Sequence, residues 1–69
     1  MEQALRAWRA VEARRRKIPA FRIFADRTLL GIAASRPTTE AELLAISGVG
    51  MSTVQRYGAQ IFHLVAGSS

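Results

Sequence analysis

The chain has 69 residues, 49% of them hydrophobic, no cysteine and a formal charge of +5. That length bounds one small domain with one modest core. Without cysteine there are no disulfides or thiolate metal sites, and no apolar run approaches the ~20 residues that cross a bilayer.

The charge is one-sided. Residues 1–36 hold nine of the ten basic residues against Glu2, Glu12 and Asp26, a net of +6. Residues 37–69 hold Arg56 against Glu40 and Glu42, a net of −1. Such a balance points to a polyanionic partner such as nucleic acid. A solubilising surface is the alternative. Nine of the ten cations are arginine, which suits phosphate and base stacking.

The first predicted helix spans residues 2–17, with Ala4, Leu5, Trp8, Val11 and Arg15 on one face. Trp8 is expected to anchor the core. Arg6 and Arg9 lie on polar faces and interrupt any signal-peptide pattern, while the absence of cysteine fits an intracellular protein. Arg14, Arg15, Arg16 and Lys17 complement the helix C-terminus. Four cations together exceed what that end needs, with a solvated, purely solubilising end as the alternative.

Ile18-Pro19 stops the helix, because the residue before proline avoids the α region. Residues 19–24 form a connector, extended or a single short turn, with Ile23 and Phe24 tucked into the core. Phe21 has two readings. It is a core ring, or an exposed ring beside Lys17 and Arg22 on which a single strand could stack. Burial is the expectation.

Asp26 is the predicted N-cap of a second helix, residues 27–36, with Leu29, Ile32 and Ala33 inside. Arg36-Pro37 ends it. Thr39-x-x-Glu42 reads as a capping box opening a third helix that runs to about Ile46. Gly48-Val49-Gly50 follows as a tight turn. Gly48 suits a positive φ at a helix end. Gly50 leaves room where the next helix opens with unpaired N–H groups, which can hold a phosphate. A purely structural turn is the other reading. The fourth helix continues to about Ala66, burying Val54, Tyr57, Ile61 and Leu64. Gly67-Ser68-Ser69 is expected to fray. No segment alternates like a strand, and there is no internal repeat.

No catalytic constellation emerges. His63 is alone and projects away from the Val54–Ile61 stripe, toward solvent. Nothing completes a metal site or a nucleophilic dyad. A non-enzymatic domain with no cofactor and no metal is expected.

Leu5-x-x-Trp8-Arg9-x-x-x-Ala13, Ile18-Pro19-Ala20-Phe21, Ile23-Phe24-x-Asp26-x-Thr28-Leu29, Ile32-Ala33, Arg36-Pro37, Leu43-Leu44-x-Ile46-x-Gly48-Val49-Gly50 and Tyr57-Gly58 occur in that order. Together they resemble the HRDC domain, the helicase and RNase D C-terminal domain, from Leu5 to about Leu64. The likeness is greater to those of bacterial RecQ DNA helicases than to RNase D. It implies an all-α bundle of about five short helices, one a single turn around residues 19–24. It further implies that residues 1–69 are one domain excised from the C-terminal part of a longer helicase. Such a domain is a monomer with no membrane contact, cytoplasmic and nucleoid-associated in a bacterium. Its role is accessory: binding single-stranded or branched DNA and tuning substrate choice in repair and recombination.

In that resemblance the DNA-contacting positions map onto Phe21 and Arg22, with Arg14, Arg15, Arg16 and Lys17 beside them and Arg27 in the same positive field. Gly48 and Gly50 would offer backbone N–H groups. Phe21 stands where a tyrosine is more usual, so stacking survives without the phenol hydrogen bond. Thr53 stands where a lysine commonly follows the second glycine, so the turn lacks its cation. The alternative role is docking on a protein partner or on the rest of the helicase chain.

Overall fold

The computed structural model describes residues 1–67. Four α-helices and one 3-10 turn make up the fold: α1 (Glu2–Arg16), the 3-10 turn (Ala20–Arg22), α2 (Asp26–Ser35), α3 (Glu40–Leu44) and α4 (Met51–Gly67). The chain is all-α among the described residues. The expected bundle of about five short helices is met when the 3-10 turn is the fifth. Of the expected frayed end, Gly67 closes α4, and Ser68 and Ser69 lie outside the described residues.

Helix α1 packs on α2 and the 3-10 turn, α3 packs on α4, and α4 closes on α1. Leu5, Leu29, Ile32, Leu43 and Ile61 are fully buried where these layers meet. Ala13, Ile23, Phe24, Val49, Val54, Tyr57 and Val65 complete the core.

The inner face of α1 is rotated from the expected one. Leu5, Arg9, Glu12 and Ala13 are buried, while Ala4, Val11 and Arg15 are exposed and Trp8 is half-buried. The cause is that two inward positions are charged but fully partnered. The guanidinium of Arg9 donates to the Phe24 carbonyl at 2.9 Å and to the Asp26 carboxylate at 2.7 Å. It also lies 6.0 Å from the Phe24 ring centre. One side chain of α1 thus fastens both the connector and the start of α2.

Arg9→Ala is expected to cost about 2–3 kcal/mol, because it strands a buried carbonyl and removes a packed stem. Asp26→Asn should cost far less, because that carboxylate is largely exposed. Equal melting temperatures for Arg9→Ala and the parent would remove the clamp from the account.

Helix α1 ends one residue early. Lys17 takes a left-handed conformation, φ 59°, and the Ile18 N–H returns to the Ala13 carbonyl at 3.0 Å. This satisfies carbonyls the helix end leaves open. Helix α2 starts at Asp26, with Ala25 as the N-cap and no side-chain cap. The predicted Asp26 cap does not form, because the helix starts one residue earlier and places Asp26 in its first turn, where the carboxylate accepts from Arg9. That hydrogen bond, then the charge of Arg9, hold the Asp26 carboxyl below its ordinary range.

Thr39 caps α3, its Oγ1 accepting from the Glu42 N–H at 3.1 Å. The Glu42 carboxylate reaches back across the helix start, accepting from the Thr38 backbone N–H at 2.8 Å and from the Thr38 hydroxyl at 3.0 Å. Helix α3 stops at Leu44, two residues short of expectation, and successive turns carry the chain through Ser47.

Gly48 then has φ +89°. A Cβ there would stand 2.1 Å from Thr28 Oγ1. Thr28 is buried in α2 and its hydroxyl donates to the Ser47 carbonyl at 3.0 Å. The turn is therefore pressed directly onto α2. Helix α4 buries Val54, Tyr57, Gly58, Ile61 and Val65, while Leu64 sits half-buried on the shoulder of that stripe.

Candidate nucleic-acid interface

The left-handed Lys17 and the following proline fold the chain back on itself. The Arg22 N–H bonds to the Pro19 carbonyl at 2.9 Å, which closes the 3-10 turn. Arg22 is thereby set near Arg16, the last residue of α1. Across from them stands the first part of α4. Between these elements lies a groove of about 290 Å³. Arg16, Arg22 and Arg56 supply its cations, Ser52 and Thr53 its hydroxyls, and Tyr57, Ile18 and Ile23 its apolar wall. Ser52 and Thr53 belong to the first turn of α4, whose N–H groups lack intrahelical acceptors and sit at the positive end of the helix dipole. The groove is thus suited to an anion attached to something flat or apolar.

The two halves of the chain, so different in charge, converge here. Arg16 and Arg22 come from the basic half, while Arg56 is the lone cation of the other. Sequence spacing missed this meeting, because no local pattern connects α1 with α4. The signal that existed was Thr53 and Arg56, three residues apart and hence on one face of the predicted helix.

Arg16 is held from two sides. Its Nε donates to the Glu12 carboxylate at 2.8 Å. Its guanidinium carbon lies 5.2 Å from the Tyr57 ring centre, a cation–π contact. Arg15 shares the same carboxylate, its Nε bonding Glu12 Oε1 at 3.2 Å. Hydrogen bonds from Arg15 and then Arg16 hold the Glu12 carboxyl below its ordinary range. Its pairs are therefore complete at neutral pH and are lost only in acid. Arg22 and Arg56 have no carboxylate partner among the described residues.

The other predicted positions fall around the groove rather than in it. Arg14, Arg15, Lys17 and Arg27 are exposed and do not line it. Phe21, expected to be buried, is 68% exposed. Ile23 and Phe24 occupy the core places of the connector, and the short turn leaves the Phe21 ring outside, next in sequence to Arg22. Gly48 and Gly50 also lie off the groove. Gly48 serves the packing on Thr28, and a Cβ at Gly50 would meet open space. The residues just beyond the glycines, not the glycines, reach the groove. His63 is exposed, as expected. Among the described residues no group of acids and histidine could hold a metal ion, and no helix is long and apolar enough to cross a membrane.

Comparison with known proteins places this geometry. The family model described as the HRDC domain matches residues 2–65. The chain is 40% identical over 63 residues to the ATP-dependent DNA helicase UvrD2 of Mycobacterium bovis, covering 91% of this chain and 9% of that protein. It is 39% identical over 61 residues to the ATP-dependent DNA helicase RecQ of Pasteurella multocida, covering 88% and 10%. To the ribonuclease D of Granulibacter bethesdensis it is 40% identical over 65 residues, covering 93% and 16%. The chain thus spans a small fraction of the length of each of these relatives. Among solved structures, HRDC domain 3 of D. radiodurans RecQ superposes with a TM-score of 0.92 at 31% identity, covering 97% of this chain and 88% of that one. A family match over nearly the whole chain and a fold shared end to end lead to one conclusion: this chain belongs to the HRDC domain family.

Proposed function

We propose that this chain is the accessory, nucleic-acid-binding domain of a longer DNA helicase, and that it holds single-stranded or branched DNA in the groove between α1, the 3-10 turn and α4. The observation that carries the reading is the convergence of Arg16, Arg22 and Arg56 on one groove, with an exposed Phe21 beside Arg22. Arg16, Arg22 and Arg56 take backbone phosphates, helped by the Ser52 and Thr53 hydroxyls. Phe21 offers a stacking face worth about 1–3 kcal/mol per base. Arg14, Lys17 and Arg27 extend the positive field that draws the strand in. No chemistry is asked of the domain. By retaining one DNA form longer than another, it biases what the attached motor acts on. Relatives among both UvrD2 and RecQ helicases support a helicase parent of either kind.

The test is a titration of the domain with a single-stranded oligonucleotide, by NMR and by anisotropy at several salt concentrations. Amide shifts are expected at residues 16–22 and 52–56 together. Changing Arg16 and Arg22 both to alanine should weaken binding on the order of tenfold and lower the log–log salt slope by about 1.4, two single-strand phosphate contacts' worth. Thr53→Lys should strengthen binding several-fold by adding a cation inside the groove. If no shifts appear at low salt, the DNA reading falls and docking on a protein surface replaces it. Shifts that spare the groove would move the site elsewhere.

A further inference from the structure

Resting on the nucleic-acid reading of the groove, we infer that Glu12, an acid, is a positioning residue for anion binding, because it fixes Arg16 in the orientation that receives a phosphate.

The Glu12 carboxylate is almost entirely buried, with a side-chain exposure of 8%. It takes only the Nε of Arg16. The two terminal amino groups of Arg16 have no protein hydrogen-bond partner among the described residues, on a side chain that lines the groove. The Tyr57 ring lies against the guanidinium and limits its rotation. The ring itself is fixed, since the Trp8 ring meets it edge-on at 5.3 Å between centres. A guanidinium held at Nε and backed by a rigid ring presents its remaining fork already aimed, and such a fork matches two phosphate oxygens. A free arginine must lose its rotamer freedom on binding, so holding it beforehand lowers the cost of capture. Arg15 sits on the same carboxylate and offsets its charge, so Glu12 can hold Arg16 without leaving the rim negative.

The inference has a sign that simple charge counting reverses. Removing an acid beside a basic groove should strengthen binding to a polyanion if only net charge matters. If Glu12 positions Arg16, removal should weaken it.

The experiment measures single-strand affinity of Glu12→Gln at a temperature well below its melting transition. Glu2→Gln is the charge-matched control, since Glu2 is an exposed acid paired to Arg6 and lies off the groove. Glu12→Gln is expected to bind three- to tenfold more weakly than the parent, while Glu2→Gln binds equally well or slightly better. In an Arg16→Ala background the loss from Glu12→Gln should vanish, which a general loosening of the fold would not produce. Arg16→Lys, which keeps the charge but not the fork, should lose about as much as Glu12→Gln. It also stands in if Glu12→Gln does not fold. Parent-like or tighter binding by Glu12→Gln, or parent-like binding by Arg16→Lys, overturns the inference.

The Arg16 Nε–H signal separates this failure from failure of the functional reading. If the parent binds no oligonucleotide, the reading of the groove is lost, and the clamp is judged on that signal alone. Slow exchange in the parent and fast exchange in Glu12→Gln support it. Equal exchange in both overturns it.

Discussion

Gly48→Val is expected to remove most of the stability of the domain. The native φ of +89° lies where a β-branched residue is strained, at about 1–3 kcal/mol. The side chain would also strike Thr28 Oγ1, since even a Cβ would stand 2.1 Å from it. That oxygen cannot simply swing aside, because it is buried and bonded to the Ser47 carbonyl. Displacing it leaves two polar groups without partners, at a further cost of about 1–3 kcal/mol. The total of about 4 kcal/mol approaches the whole margin of a domain this small. Gly50→Ala is the control, with open space at its Cβ and no positive φ, and it should melt within a few degrees of the parent. A Gly48→Val protein with parent-like melting would show that the turn does not depend on this contact.

Trp8→Ala is the second large effect. Trp8 is only half-buried, yet its ring joins two others. It stacks on Phe24 with centres 6.0 Å apart and an interplanar angle of 18°. It meets Tyr57 edge-on. Removing it leaves a cavity under α1 and breaks both ring contacts, at a cost of about 3 kcal/mol. For a domain of this size that lowers the melting temperature by roughly 12 °C or more. Trp8→Phe should recover much of the loss. Affinity for DNA should fall in Trp8→Ala beyond what unfolding explains, because the Tyr57 ring under Arg16 loses its support. An unshifted melting curve would remove Trp8 from the core.

Elements with apolar periodicity are legible in the sequence. Leu5, Leu29, Ile32, Val54, Tyr57 and Ile61 all lie where helical spacing puts them, and Gly48 has the left-handed φ its position demands. The failures share a cause. Arg9 and Glu12 are charged, so spacing rules assign them outward, and only their partners make burial affordable. Val11 was then assigned inward and is in fact 59% exposed. Asp26 has the chemistry of a cap, but the helix starts one residue earlier, at the Ala25 cap, and the Asp26 carboxylate pairs with Arg9 of α1 instead. The apolar ring of Phe21 argues for burial, whereas the connector fills its inward places with Ile18, Ala20, Ile23 and Phe24 and leaves that ring outside. The groove is half legible: the basic run contains Arg16 and precedes Arg22, while Arg56 joins them only through the packing of α4 on α1.

The groove has walls from both ends of the chain, and this couples occupancy to folding. Arg16 and Arg22 meet Ser52, Thr53 and Arg56 only when α4 is docked. A ligand that spans the groove therefore acts as a reversible staple across the α1–α4 seam. By mass action, such a ligand at a hundred times its dissociation constant would add about 2.7 kcal/mol to the stability of the fold. For a domain with so thin a margin, the nucleic acid would be part of what keeps it folded. A strand pulled taut along the groove would load that seam directly, so tension in the bound strand would be felt first as separation of the first helix from the last.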